Sequence, residues 1–502
     1  MNKIDFKDNN LFGHTQPPLE NVPGITYLGQ LKTKKSKEIK DSIVSVGFET
    51  LDRDTFDPND IYDFLGESGI KYARVQTGWL KCEKVPGQYD WAWLDSIVNN
   101  LFNRGIRPWF CVSFGNPLYT PNPEYDKFKT EHPGAPVDSR IRGYCGETPY
   151  YFGEKAMKPW LAYVKALTEH FKNRVREYEI WNEPDQLGIS WRKDGKIPYP
   201  ELNTDERIRR CAADYADFAI QTDAVIKEAM PEAKTVCSPG RHIANYNYYL
   251  AENNIMDHLD VYATHIYGVQ RQSQDFKRWS QTKAIMKAGE LWQGESGSPA
   301  SPFSAFTTCV GANEYTQAKA DIRRLTSDAN FGMGRSSIYT ACDFKAYYAN
   351  KDSVFGIINR EEKRPKIAYY AIQAVATLFE GSKKADEIGI YVLPMRESVN
   401  SVLPINTIQC GAFRKNGIPL YSLFNAEREM LNADPVNVYV CIQQGPEKID
   451  DLVAIDPIRQ AVYSIKRNKS VNRDCAATVE ISNFPVPDYP IFITDRKAIE
   501  IE

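Results

Sequence analysis

Between Ser42 and Glu380 the chain alternates, eight times, a short run rich in β-branched and aromatic residues with a longer stretch of helical spacing. That alternation restricts the fold more than any other feature, because consecutive strands joined through helices run parallel and need those helices to cover them. The runs are SIVSVGFET from Ser42, KYARVQTGW from Lys71, RPWFCVSFG from Arg107, REYEIWNEP from Arg176, KTVCSPG from Lys234, LDVYATHIYG from Leu259, ELWQGESG from Glu290 and RSSIYTACDF from Arg335. Between them, Leu94, Ile97, Val98, Leu101 and Phe102 share one helical face, with Gly105 as the stop. Trp160, Tyr163, Val164, Leu167 and Phe171 repeat the spacing, as do Tyr215, Phe218, Ala219, Val225 and Ile226, and finally Ile367, Ala371, Ala374, Val375 and Leu378. The pattern predicts an α/β fold, a closed (β/α)8 TIM barrel over residues 41–381. A doubly wound open sheet is the alternative, but GFETLDRD after the first run is not the Gly-rich turn that such sheets carry.

Beyond Gly381 the texture changes. IGIYVLP, GAFRKNGIPLYSLFN, VNVYVCI, QAVYSI, ATVEISNF and PIFITD are strand-like runs without helices between them, and Asn416-Gly417 is a hairpin turn signal. Residues 382–502 are predicted to form an accessory β-sandwich. Residues 1–40 include ITYLGQLKTKKSKEI and are too few to bury a core, so their strands are expected to join that sandwich.

Composition excludes several classes. A net charge of −3 argues against nucleic acid or an anionic membrane as partner. No run of 18 apolar residues occurs. MNKIDFKDNNLFGHTQ has no apolar segment of a secretory signal, and the 10 cysteines, among them Cys82, Cys111, Cys145, Cys211 and Cys237, form no CxxC pair. A cytoplasmic chain with reduced, buried cysteines is expected. The 12% aromatic content suits a carbohydrate partner, whose apolar C–H faces stack on flat rings. The β-domain also offers surface for a homo-oligomer.

The chemistry concentrates at two glutamates. Trp181-Asn182-Glu183-Pro184 closes the fourth run and Gln293-Gly294-Glu295-Ser296 closes the seventh, 112 residues later. Barrel enzymes build their sites at the C-terminal ends of strands, and strands four and seven face one another across the mouth. Two carboxyls so placed can approach to about 5–5.5 Å, the separation a retaining glycosidase requires. One must then be protonated to assist the leaving oxygen while the other, ionised, attacks the anomeric carbon. Arg74, closing the second run, is a candidate to keep Glu295 ionised; Tyr267 can donate to the same carboxylate, and Asn182 is placed for a sugar hydroxyl. Gln76, Trp79, Asn116 and Tyr119 at the ends of strands two and three, and Trp191 in the loop after Glu183, are further sugar-contact candidates. No metal or organic cofactor is called for. With only 6 His and neither HxH nor HExxH, a metal-dependent hydrolase is disfavoured.

These motifs resemble glycoside hydrolase clan A, most closely family 39, the β-xylosidase type. Asn182-Glu183-Pro184 is similar to the clan's acid/base motif and Gly294-Glu295 to its nucleophile motif. Thr264-His265-Ile266-Tyr267 is similar to the strand-six segment whose His and Tyr line the sugar site, and Arg74 to the arginine ending strand two. Gly78 to Asp95, Phe355-Gly356-Ile357-Ile358, Arg364-Pro365-Lys366 and PDYPIFIT extend the resemblance over most of the chain. It implies an exo-acting retaining glycosidase, a β-xylosidase, arabinosidase or galactosidase, with Glu183 as acid/base and Glu295 as nucleophile. The long insert from Pro117 to Lys155 agrees with a walled pocket. One departure is plain: where many clan members carry a strand-eight Trp, this chain reads SIYTACDF, so Tyr339 or Asp343 takes that place. A transglycosidase and a catalytically inactive carbohydrate-binding barrel are the competing readings.

Overall fold

A computed structural model describes residues 6, 12, 17–131, 146–240, 244–268, 272–304, 313–348, 351–394, 407–426, 434–468 and 478–502. Cys145 and the middle of the Pro117–Lys155 insert lie outside the described residues. Eight parallel strands close into a barrel in chain order: Val44–Gly47, Tyr72–Gln76, Arg107–Val112, Glu177–Ile180, Lys234–Gly240, Val261–Thr264, Glu290–Ser296 and Arg335–Ile338. The eighth pairs with the first, Ser336 opposite Val44, so no sheet edge is left and the open-sheet alternative fails.

The helices cover this barrel with the predicted faces. Leu94, Ile97, Val98 and Leu101 of Ala92–Asn103 are buried, whereas Phe102 lies 48% exposed on the other side of the helix. At 100° per residue Phe102 falls one step past the apolar stripe, and a partly exposed ring is tolerated there. Trp160, Tyr163, Val164, Leu167 and Phe171 of Glu154–Phe171 are all buried.

The barrel is plugged at its N-terminal end by stacking. The Arg335 guanidinium lies 3.7 Å from the Tyr72 ring and 4.0 Å from the Trp292 ring and pairs with Glu177 at 3.1 Å. Trp109, Val236, Val261 and Ala263 complete that interior layer. Above it the inward side chains become ionic, Arg74 and Glu179 among them.

After the last barrel helix, Ile367–Phe379, the chain enters a sandwich of a seven-stranded antiparallel sheet and a three-stranded one. Asn416 and Gly417 have φ of 49° and 88°, the two left-handed residues of a tight hairpin joining Ile408–Lys415 to Ile418–Asn425. Strand Ile25–Gln30 pairs with Ala461–Ile465 at one edge of the larger sheet. Helix Glu314–Phe331 is buried along most of its length between barrel and sandwich, where Lys319 meets Asp488 at 2.8 Å. Lys415 donates to the Thr377 and Glu380 carbonyls, both at 2.8 Å, and so caps the last barrel helix from the sandwich. Among the described residues no helix is long and apolar enough to cross a membrane.

Candidate active site

Strand two delivers the site's organising cation. Tyr72, Arg74 and Gln76 alternate inward, so Arg74 stands one layer above the aromatic plug. It is fully buried and donates to Glu179 at 2.5 and 2.9 Å, to Glu49 at 2.7 Å, to Asn182 Oδ1 at 2.8 Å and to Glu295 at 3.2 Å. A planar guanidinium with five donors can serve this many acceptors in one plane; an ammonium cannot.

The acid motif leaves strand four on a strained turn. Trp181 and Glu183 have φ of 69° and 48°, left-handed values that cost non-glycine residues on the order of 1–3 kcal/mol each. Burial of the Trp181 ring against Phe114, Trp160, Trp191 and Phe218 opposes that cost, and its indole N–H donates to Ser190 O at 3.1 Å. Glu183 Oε1 lies 3.0 Å from His265 Nδ1, and Gln186 donates to Oε2. Gly240, ending strand five, makes the space: a Cβ there would lie 2.7 Å from Glu183 Cγ.

Glu295 ends strand seven opposite. It accepts from Tyr267 and from Arg74, and lies 3.7 Å from His265 Nδ1. One oxygen each of Glu183 and Glu295 and one nitrogen of His265 fall within 4.8 Å of one another. His265 is set by Ser238 Oγ at 3.0 Å and Glu179 at 3.5 Å on its other nitrogen. Gly294 leaves room for that ring, since a Cβ there would meet His265 Nε2 at 2.9 Å.

Four carboxyls (Glu49, Glu179, Glu183, Glu295) thus share two cationic partners, Arg74 and His265. Burial works to raise Glu179, but Arg74 and His265 outweigh it and hold it near about 2. Burial likewise works to lower His265, yet Glu295, Glu179 and Glu183 lift it to about 10. Glu295 is raised to about 8, by burial first and then by Glu49, with His265 opposing and Glu183 adding. Four negative charges against two positive ones leave a deficit that one bound proton relieves. That deficit favours one proton shared by the carboxyl pair, in the direction of the raised Glu295.

Arg74, Asn182, Glu183, His265, Tyr267 and Glu295 form one connected cluster. Gln76 stands above Arg74, but its Oε1 accepts from Thr50 N–H at 3.1 Å and from Arg53 at 2.7 Å. Four sugar-contact candidates sit in packed or paired surroundings. Trp79 is 1% exposed, sandwiched between Tyr119 and Tyr163, with its N–H on Glu83. Trp191 has no exposed surface; it packs on Trp181, Tyr215 and Phe218. Asn116 is spent on Glu83 O at 2.8 Å and Leu118 N–H at 3.0 Å. Asp343 pairs with Lys366 at 2.7 Å and accepts from Gly356 N–H. The two indoles gain by burying apolar area, and the polar groups of Asn116 and Asp343 are held by partners inside the protein. Tyr339 holds the strand-eight position instead, its ring against Tyr267 and Phe355. Glu49, Glu179, Gln186 and Ser238 were not anticipated. A Glu inside the EYEI strand, two residues before Trp181, was the available signal, because a charge inside a barrel strand has to be paired.

No protein-family model matches the chain. By structure it is similar over 92% of its length to a family 39 glycoside hydrolase from the gut symbiont Bacteroides cellulosilyticus WH2, at TM-score 0.59 and 14% identity, covering 82% of that chain. It has the fold of this glycoside hydrolase. A family 39 β-xylosidase from Caulobacter crescentus matches at TM-score 0.52 and 14% identity over 93% of this chain and 97% of that one. A family 30 endoxylanase from Clostridium papyrosolvens C71 matches at 0.52 and 12% over 94% and 98%. In sequence, a β-galactosidase from Clostridium cellulovorans is 31% identical over 130 residues, which is 24% of this chain and 18% of that protein's length.

Proposed function

We propose that this protein is a retaining glycoside hydrolase, with Glu183 as acid/base and Glu295 as nucleophile. The observation that carries the proposal is the convergence of the two carboxyls within 4.8 Å of a common histidine at the C-terminal mouth of the barrel. A gap of that order admits an anomeric carbon but no separate attacking water, which favours double displacement over inversion. The similarity of fold to family 39 and family 30 enzymes supports the reading.

The residues divide the work. Arg74 and Tyr267 both donate to Glu295, so its anion has the donors that a nucleophile and then a leaving carboxylate need. The proton of the pair must lie on Glu183 when the glycosidic oxygen departs, and the same carboxylate then takes a proton from water in the second step. Asn182, whose Oδ1 accepts from Arg74 at 2.8 Å, keeps its amide N–H to donate to a sugar hydroxyl. Exo action is part of the proposal. Glu147 ties the loops after strands three and four together, through Arg192 at 3.1 Å and Asn122 at 2.6 Å, and fixed loops on that side of the mouth support exo action.

Proton NMR of the first-formed sugar tests the proposal directly. Retention is expected; an inverted anomer overturns the nucleophile assignment. Glu183→Gln is expected to lower kcat about 10²–10⁴-fold on substrates with poor leaving groups and to spare activated aryl glycosides in the first step. Equal losses on both would remove the acid role.

The pH dependence follows from the shared proton. Above pH about 8 the pair loses it, no acid remains, and kcat/KM is expected to fall tenfold per pH unit. The melting temperature should fall as pH rises from the unfolded toward the folded values of the two raised groups. Glu295 and His265 both have folded pKa values above their unfolded ones, so each favours the native state below its unfolded value. That preference is lost as pH rises through about 8 for Glu295 and about 10 for His265. Glu179, held at about 2, acts in the opposite sense and costs stability only under acid conditions. A Tm that is flat or rising between about pH 6 and 9 would contradict this balance.

A further inference from the structure

We propose that Glu183, His265 and Glu295 also bind a divalent transition-metal ion of the Zn²⁺ type, as an inhibitor rather than a helper. The donor set is one imidazole nitrogen and two carboxylate oxygens within 4.8 Å of one another. His265 Nδ1 is 3.0 Å from Glu183 Oε1 and 3.7 Å from Glu295 Oε2. Ligand atoms around a tetrahedral zinc at bond lengths of about 2.0–2.2 Å stand about 3.3–3.6 Å apart, so these spacings bracket what the ion demands. Three protein ligands with the fourth position open to water complete the coordination. Mg²⁺ and Ca²⁺, which seek six or more oxygens, find only two carboxylates and a nitrogen.

Two further features of the cavity point the same way. The ring is 3% exposed and its far nitrogen faces Ser238 Oγ at 3.0 Å and Glu179 at 3.5 Å. The ion must displace the Nδ1 proton that His265 directs at Glu183; Ser238 and Glu179 then hold the remaining proton at Nε2, so the lone pair freed at Nδ1 points at the two glutamates, the arrangement that orients histidine ligands in metal sites. The surrounding charge also favours a dication: once the ion has displaced the second proton of His265, Glu49 and Glu179 add to the two ligand carboxylates against Arg74. The ion would occupy the space between Glu183 and Glu295. On the glycosidase reading that is where the anomeric carbon must sit, so inhibition competitive with substrate follows from it, whereas the binding itself does not depend on that reading.

The test is competition for Zn²⁺ between the full-length chain and a chromophoric chelator, with no substrate present. Wild type is expected to hold one Zn²⁺ that His265→Gln or Glu295→Gln weakens at least about 100-fold, and to ignore Mg²⁺ at the same concentrations. Ser238→Ala removes only a partner of the ligand and should weaken binding roughly 10-fold while near-ultraviolet circular dichroism stays native. Zn²⁺ held equally by wild type, His265→Gln and Ser238→Ala would overturn the site, as would wild type holding none. Should His265→Gln fail to fold, the Ser238→Ala comparison decides. Competitive Zn²⁺ inhibition of glycoside turnover is then a separate measurement. Binding without turnover would sink the hydrolase reading and leave the metal site standing.

Discussion

Glu295→Ala is expected to lower kcat by about 10⁴-fold or more, and millimolar azide is expected to restore turnover as a glycosyl azide of inverted configuration. The size follows from the proposed role, since a missing nucleophile removes the covalent route and leaves only the positioning and electrostatic parts of catalysis. The rescue follows from the geometry. Truncation opens a cavity beside Arg74 and Tyr267, whose donors faced the lost carboxylate, and a small anion can bind there and attack from the same side. Glu183 remains to assist departure of the leaving group. Rescue of Glu183→Ala by azide should instead give a product of retained configuration, because there the anion intercepts the glycosyl–Glu295 intermediate. If the two variants gave the same anomer, the roles of the two glutamates would not be separable.

Removing Arg74 should have the largest effect on stability. Arg74→Met leaves Glu49, Glu179 and Glu295 without the cation they share. Uncompensated buried charge costs about 3–5 kcal/mol, a fall in Tm of roughly 5–10 °C for a domain of this size. Adding Glu49→Gln should return part of that loss, since it deletes one stranded charge. A double variant no more stable than Arg74→Met would show that the arginine acts by packing. Arg74→Lys keeps the charge but lacks the planar fork, so kcat should fall with a smaller loss of Tm. Both quantities come from the same purified samples, by calorimetry and by rates on an aryl glycoside.

Much of this was legible in one dimension. Strands four and seven each carry a glutamate just at or beyond their ends, and that placement needs only strand order and the rule that barrels work at their C-terminal face. Arg74 was legible because alternation fixes which side chains of a strand face inward, and Tyr267 because it follows the end of strand six at the same face of the barrel. That Trp79, Trp191, Asn116 and Asp343 are packed or paired elsewhere was not legible, because position at a strand end or in a mouth loop does not say which way a side chain turns. Trp191 was captured by Trp181, Tyr215 and Phe218, and Asp343 by Lys366. Glu179 was passed over because a buried charge becomes intelligible only with its partner, and Arg74 lies 105 residues away.

Local periodicity by itself determined the eight strand–helix units, their order and the end of the barrel at which chemistry is placed, because hydrophobic spacing and turn residues act between near neighbours. Tertiary structure alone decided how four carboxyls are held around one arginine and one histidine, and which aromatic rings line the cavity rather than the core. Those outcomes depend on desolvation and Coulomb energies between residues distant in sequence, and such energies exist only once the barrel has closed.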